Sequence, residues 1–382
     1  MESERRKRKR LKKKRRIIIL ICVVFISIFG YFLANNQFVR GLYYKIDNPL
    51  SDKNAIIEFE EGINSTYTVF DNVLISYSKN GICGYNLSGE KINTKFFEEL
   101  SSVVSGYNSL KLKKCNKYIC AYDNKGRDIV IFNLKKIISN TKTASSIILA
   151  KPLDNGEFIV IAEDKSAKNQ VIVFDNSGKE EFIWHSGVNN VVDAAYSYEA
   201  GKLTVVSADL STGILNSKLS FFDISSNTPY SEITVDDVFI TNINYFNDNN
   251  MLAVSDKGIY YFNVNGEMKN SYSYNEKMLS NYSLLKDGTC ALSFRSNSNE
   301  TLTEIVNKKG KLIGSYNSLN EVVYMDTLND NILLCETRKV SLITKRGFLL
   351  RETEYTKDLK QAYLGGRNKI VLISNSELRI IN

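Results

Sequence analysis

The sequence predicts an all-β chain, an eight-bladed β-propeller with seven blades as the alternative, preceded by a single N-terminal transmembrane helix. Three observations carry this reading. A basic run abuts an uncharged apolar run near the N-terminus. A hairpin-and-turn unit then recurs about every 42 residues as far as the C-terminus. A short strand near residue 55 has no hairpin partner, while the last hairpin lacks a fourth strand.

The first element is a tail and an anchor. Residues 5–16 read RRKRKRLKKKRR, and residues 17–34 read IIILICVVFISIFGYFLA. The second run has 18 residues with neither charge nor proline. As a helix it covers about 27 Å, close to the hydrocarbon thickness of a bilayer. It is longer than the roughly 7–15 apolar residues of a cleaved leader, and no A-x-A site follows it. It therefore reads as an uncleaved signal-anchor helix. Eleven Lys/Arg precede it, whereas only Arg40 and Lys45 fall in the dozen residues after it. The positive-inside rule then places residues 1–16 in the cytoplasm and residues 35–382 outside, in a single-pass cell-membrane protein. Residues 35–53 form a juxtamembrane linker that reaches at most about 65 Å when extended.

The body, residues 54–382, is read from its repeat. A turn of hydrophobic residue, Asn/Asp/Thr, two variable residues, Gly, and often Glu or Lys appears five times. The copies are Tyr85-Asn86-Leu87-Ser88-Gly89-Glu90, Phe174-Asp175-Asn176-Ser177-Gly178-Lys179, Phe262-Asn263-Val264-Asn265-Gly266-Glu267, Val306-Asn307-Lys308-Lys309-Gly310-Lys311 and, more weakly, Ile343-Thr344-Lys345-Arg346-Gly347-Phe348. The glycines are 89, 88, 44 and 37 residues apart, so the first two intervals are double periods. A turn position with φ > 0 favours Gly there. Upstream hairpins fill the gaps, their first strands starting near Val73, Tyr118, Glu157, Lys202, Met251, Thr289, Ile332 and Lys369. Spacing of about 42 residues suits a four-stranded propeller blade. The strands are rich in Val, Ile, Tyr and Phe. Residues 96–104, FFEELSSVV, are the best helical candidate and belong between blades. Seven blades stay open because residues 102–140 are the least regular unit. Residues 55–59 are expected to complete the last blade beside 377–381, which closes the ring and removes exposed sheet edges.

These Asn/Asp-x-x-Gly-Glu/Lys turns, with the basic tail and anchor, resemble the membrane-anchored WD40-like or quinoprotein-like β-propeller proteins of unknown function from low-GC Gram-positive bacteria. The resemblance implies a fold and a place at the cell envelope. It brings no catalytic residues with it.

Composition bounds the chemistry. The net charge of +8 resides in residues 1–16, whose 11 Lys/Arg and 2 Glu leave the remaining 366 residues at −1. Electrostatic capture of nucleic acid, which needs many Lys/Arg–phosphate contacts, is therefore not expected. One His excludes a multi-His metal site within the chain. There is no G-x-S-x-G elbow, Walker A run, G-x-G-x-x-G or H-E-x-x-H. Repeated Trp docking positions for a quinone cofactor are excluded by the single Trp184. His185 would need an orienting acid to act as a base, and reads first as a structural or surface residue. The pairs Glu60-Glu61, Glu98-Glu99, Glu180-Glu181 and Asp236-Asp237 read as solvated edges. The five cysteines outside the anchor, Cys83, Cys115, Cys120, Cys290 and Cys335, read mainly as buried thiols, with Cys115–Cys120 and Cys290–Cys335 as the disulfides that geometry would permit. The sequence thus assigns no catalytic, cofactor-binding or metal-ligating residue.

Two functions remain. The first is a non-enzymatic protein-interaction or scaffold module at the envelope, its partners the lipid bilayer and an envelope or membrane protein, with no nucleic acid. The second is an enzyme or small-ligand or glycan sensor using the channel mouth. A concave mouth with converging charged groups is the feature that favours the second.

Overall fold

The computed structural model describes residues 55–58, 65–78, 81–211, 213–247, 249–296, 300–366 and 369–381, with Ser27 as an isolated position. The basic tail, anchor run and linker expected at residues 1–16, 17–34 and 35–53 otherwise lie outside the described residues. Among the described residues no helix is long and apolar enough to cross a membrane.

The chain opens with β1 (Ala55–Glu58). Blade 1 is β2 (Thr66–Phe70), β3 (Val73–Ser78), β4 (Gly81–Asn86) and β5 (Lys91–Ile92), followed by helix α1 (Lys95–Val104). Blade 2 is β6 (Leu110–Lys114), β7 (Ile119–Asp123), β8 (Asp128–Phe132) and β9 (Ile137–Lys142); blade 3 is β10 (Ile147–Pro152), β11 (Phe158–Glu163), β12 (Asn169–Phe174) and β13 (Glu180–Ser186). Blade 4 is β14 (Asn190–Ser197), β15 (Lys202–Asp209), β16 (Asn216–Asp223) and β17 (Ser231–Val235); blade 5 is β18 (Ile240–Asn247), β19 (Asn250–Ser255), β20 (Gly258–Asn263) and β21 (Met268–Ser273). Blade 6 is β22 (Met278–Leu284), β23 (Cys290–Arg295), β24 (Thr301–Val306) and β25 (Leu312–Ser318); blade 7 is β26 (Val322–Leu328), β27 (Asn331–Glu336), β28 (Lys339–Thr344) and β29 (Leu349–Glu354). Blade 8 is β30 (Leu359–Leu364), β31 (Ile370–Ser374) and β32 (Glu377–Ile381), completed by β1.

The count is eight, and the ring closes as the unpaired strand near residue 55 predicts. Strand β1 lies antiparallel to β32, with Ala55 opposite Ile380 and Glu58 opposite Glu377. Blade 2, the irregular stretch that left seven blades open, is a full sheet. Its outer turn merely lacks the glycine: Asn133 Oδ1 accepts the N–H groups of Lys135 and Lys136 at 2.9 and 3.0 Å.

Packing explains why the middle strands read as unbroken apolar runs. Eight apolar clusters are found among the described residues, one between each pair of adjacent blades. Strand β11 serves two of them. Phe158, Val160 and Ala162 face blade 2, while Ile159 and Ile161 face blade 4. Side chains alternate across a strand, so a strand buried on both faces has no polar side to show. Aromatic rings fill these interfaces, as where Phe158 stacks on Phe174 at 4.8 Å.

The hairpins found in the sequence are the second and third strands of each blade. The first strands, such as LKLKK of β6 and ITNINYFN of β18, carry polar residues toward the channel and lack that signature. Helix α1 falls where the sequence places it. Thr94 caps it by accepting the Phe97 N–H at 3.5 Å, and Phe97, Leu100 and Val104 turn inward. It covers β4, whose partner β5 is only two residues long.

The repeated turn has an observable mechanism. In blade 5, Asn263 Oδ1 accepts the N–H groups of Asn265 and Glu267 at 3.1 and 2.9 Å, while its Nδ2 donates to Glu267 Oε2 at 2.9 Å. That explains both the leading Asn and the trailing Glu. The glycine has a second reason beyond φ. A Cβ on Gly310 would overlap the Ser271 carbonyl, and one on Gly347 the Ser315 carbonyl, each on the outer strand of the preceding blade.

Candidate functional site

Every blade runs from an inner to an outer strand in antiparallel order, so the connections fall on two faces. A turn face carries the links between first and second strands and between third and fourth. A loop face carries the links between second and third strands and those between blades. Strand β1 begins on the turn face, because Ala55 lies opposite Ile380 near the end of β32.

The channel opens on the turn face as a cavity of about 710 Å³, walled by the inner strands of blades 2 to 6. Its chemistry comes from residues far apart in sequence. Lys151 of β10 meets Asp193 of β14 at 2.6 Å and also donates to the Ile243 carbonyl at 3.1 Å. Asp193 is nearly enclosed and saturated. Its oxygens accept from Ala194 N–H at 2.9 Å, Ile243 N–H at 2.8 Å and Asn242 Nδ2 at 3.0 Å besides Lys151. Asn242 Oδ1 in turn accepts from Asn244. At the rim, Asp154 takes Asn116 N–H at 2.7 Å and Asn116 Nδ2 at 2.6 Å. Burial pushes the Asp154 carboxyl up, but these amides and the Cys115 thiol outweigh it and hold the pKa below the ordinary value. Burial raises the Tyr282 phenol, and the Asp193 charge adds to this, so its hydroxyl stays neutral.

Lys114 donates to the Val69 carbonyl at 2.8 Å. Lys113 is different. It opens into the channel, and among the described residues nothing is bonded to its Nζ. Surrounding protein pushes its ammonium pKa down, and the Lys151 charge pushes it further, against a weaker pull from Asp193.

The loop face has another character. Eleven large apolar side chains are exposed among the described residues, and seven of them sit here: Ile148, Val188, Leu210, Ile214, Leu215, Met278 and Leu319. His185 also lies toward this face, and the acid it would need is Asp164, whose Oδ2 is 2.6 Å from His185 Nδ1. The Ser166 N–H and then His185 hold the Asp164 carboxyl down at about 2. Among the described residues no Ser, Thr or Cys side chain is hydrogen-bonded to His185. Trp184 packs on Phe222 at 5.2 Å, in the interface between blades 3 and 4.

The remaining acidic candidates stay apart. Glu98 and Glu99 are exposed on α1, Glu180 and Glu181 sit at the exposed start of β13, and Asp237 pairs with Lys257. Glu60 and Glu61 lie outside the described residues. No group of three His, Cys, Asp or Glu suited to a metal occurs among the described residues. Cys83, Cys115, Cys120, Cys290 and Cys335 are free thiols, and burial pushes Cys115 and Cys335 up to about 12. Sequence reasoning missed Lys113, Lys151, Asp193, Asn242 and Asn244. The one local signal was LKLKK, which sets Leu110 and Leu112 on one side of β6 and Lys111 and Lys113 on the other.

Residues 52–382 match the model of a family of unknown function, DUF5711. The chain belongs to the DUF5711 family. Among solved structures, the DUF5711 propeller is similar to the C-terminal WD40 domain of Sif2, at 13% identity and a TM-score of 0.59, over 86% of this chain and 98% of that one. It is also similar to KlHsv2 with loop 6CD replaced by a Gly-Ser linker, at 10% identity and a TM-score of 0.50, over 69% and 87% of the two chains. For the WD40 β-propeller domain of Doa1 the values are 14% identity, a TM-score of 0.47, and 87% and 96% coverage. No curated protein matches the sequence. Likeness at such identity is one of fold, and makes the DUF5711 domain a WD40-like β-propeller.

Proposed function

We propose that this DUF5711 chain is a membrane-anchored, extracytoplasmic interaction module, which holds an envelope or membrane protein through the loop face of its propeller without chemistry. The observation that carries the reading is the one-sided distribution of exposed apolar side chains, seven of eleven on the loop face. Large apolar side chains left in water on one face suit a partner that covers them, and a few anchors then supply most of the binding energy. A disk whose core is locked between blades presents such loops rigidly. The anchor rests on residues 17–34 and the outside placement on the basic run before them. Because β1 begins on the turn face, the chain from the anchor enters the propeller on the side opposite the loop face.

The test has two parts. Protease added to intact cells stripped of any outer layer is expected to digest residues 35–382; full protection sinks the outside placement. Cross-linking in intact cells is expected to capture an envelope or membrane protein, and capture is expected to fail when Val188 and Leu319 are both changed to Ser. Capture unchanged by those substitutions sinks the loop-face reading.

A further inference from the structure

The channel mouth is the concave site with converging charged groups that favours a small-ligand reading, and it carries an inference that goes beyond the loop face and does not depend on it. We propose that the turn-face cavity is a binding site for a small hydroxylated anion, a sugar acid or sugar phosphate, whose carboxylate or phosphate is held by Lys113 beside Lys151. The asymmetry of the site points to this ligand. Its acids are sealed by the protein: Asp193 is occupied by Lys151, two backbone N–H groups and Asn242, and Asp154 by Asn116. A cation would find no carboxylate free to accept it. The basic side is open. Lys151 is balanced by Asp193, whereas Lys113 brings a positive charge into a walled cavity with no bonded counter-charge among the described residues.

Lys113 stays exposed to the solvent of the cavity, and one ammonium set beside another within protein walls is unfavourable until an anion arrives. The depressed Lys113 pKa is consistent with that cost, and an anion bound there would raise it. The rest of the wall suits hydroxyl groups. Asn244 keeps its amide oxygen and one N–H after donating to Asn242, and Tyr282 offers a neutral hydroxyl. A cavity of about 710 Å³ is within the size of small-ligand sites.

The experiment is isothermal titration of the full chain, in nonionic detergent, with glucuronate, glucose 6-phosphate and glucose. At least one of the two anions is expected to bind and glucose is not, and which anion binds tells a carboxylate ligand from a phosphate one. Lys113→Met is expected to weaken binding at least tenfold, Lys113→Arg to retain most of it, and Lys135→Met, on an exposed outer turn of blade 2, to leave it unchanged. Binding is expected to fall with added salt. It is also expected to fall as the pH rises through the depressed Lys113 pKa, below the range where surface lysines lose their charge. No binding by either anion, equal binding of glucose, or full affinity in Lys113→Met overturns the proposal. Melting curves of each variant separate loss of the site from loss of the fold. Loss of anion binding with the envelope cross-link intact removes this site and leaves the loop-face reading standing.

Discussion

Lys151 and Asp193, 42 residues apart on the inner strands of blades 3 and 4, close on each other at 2.6 Å with Asp193 almost fully enclosed. The pair fastens one junction of a ring that is fastened elsewhere by similar means. Thr66 reaches the Leu110 carbonyl at 3.3 Å, Asn281 the Val322 carbonyl at 2.7 Å, and Tyr363 the Tyr67 carbonyl at 3.0 Å. Removing Asp193 strands the Lys151 ammonium and leaves the Ile243 N–H unpaired. Asp193→Ala is therefore expected to cost about 3–5 kcal/mol. Lys151→Met is expected to cost less, about 1–3 kcal/mol, because Asp193 keeps three N–H donors. Urea denaturation of both single variants and the double variant checks this. Additive losses would show that the two side chains do not support each other.

Ring closure depends on one side of a four-residue strand. In β1, Ile57 packs into the cluster between blades 8 and 1, while Ile56 is 53% exposed. Ile57→Ala is expected to cost about 1–2 kcal/mol, below the range for a fully buried isoleucine, and Ile56→Ala within about 0.5 kcal/mol of zero. Deleting residues 55–58 is expected to lower the melting temperature sharply and promote aggregation, since β32 becomes an open edge. Equal melting of the two alanine variants would mean that β1 does not seat as the register requires.

Asp326, on the inner strand of blade 7, ties pH to stability. Burial raises its carboxyl pKa, against the Lys114 charge and the Leu364 and Thr327 N–H groups, which lower it. The folded chain therefore binds this proton more readily than the unfolded chain does. Its contribution to stability falls as pH rises from the unfolded value of about 3.9 through the raised folded value. Asp326→Asn is expected to remove that slope and to cost little near neutral pH, because the amide oxygen still accepts the Leu364 N–H, now 2.8 Å from Asp326 Oδ2. Asp326→Ala leaves that N–H unpaired and is expected to cost about 1–3 kcal/mol. Thermal melts of the three proteins between pH 3 and 8 decide; an unchanged slope in Asp326→Asn assigns the pH effect elsewhere.

These residues also show what was legible in the sequence. The blade count, the closing strand and α1 depend on local pattern: apolar runs such as FIVIA, the Asn–Gly turn, and an unpaired AIIE. Each of these is set by neighbours within a few residues. The channel mouth is not. Lys113, Lys151, Asp193 and Asn242 come from four successive blades, and their adjacency exists only once the ring is closed. In a linear reading, Lys113 within LKLKKCNK passes for a solvated edge. The partner of His185 was hidden for the same reason. Asp164 lies 21 residues upstream and meets it only because β11 and β13 flank one strand.

The turn glycine was legible for one reason and needed for two. Gly347 has φ +79°, and Gly213, in the loop between β15 and β16, has φ +81°. Backbone preference alone makes them equal, and replacing either by alanine is expected to cost about 1 kcal/mol on that ground. Their surroundings differ. A Cβ at Gly213 meets nothing within 4 Å, whereas one at Gly347 overlaps the backbone of Ser315 on the outer strand of blade 6. Backbone cannot swing aside as a side-chain end can, so blades 6 and 7 must move apart. Gly347→Ala is expected to cost at least 1 kcal/mol more than Gly213→Ala and to loosen the junction between those blades. Chemical denaturation measures the first. Hydrogen exchange measures the second, as faster exchange in β25 and β29 with blades 2 and 3 unchanged. Equal costs for the two substitutions would show that the repeat keeps its glycine for backbone conformation alone, and that the outer strands are free to slide past the turns.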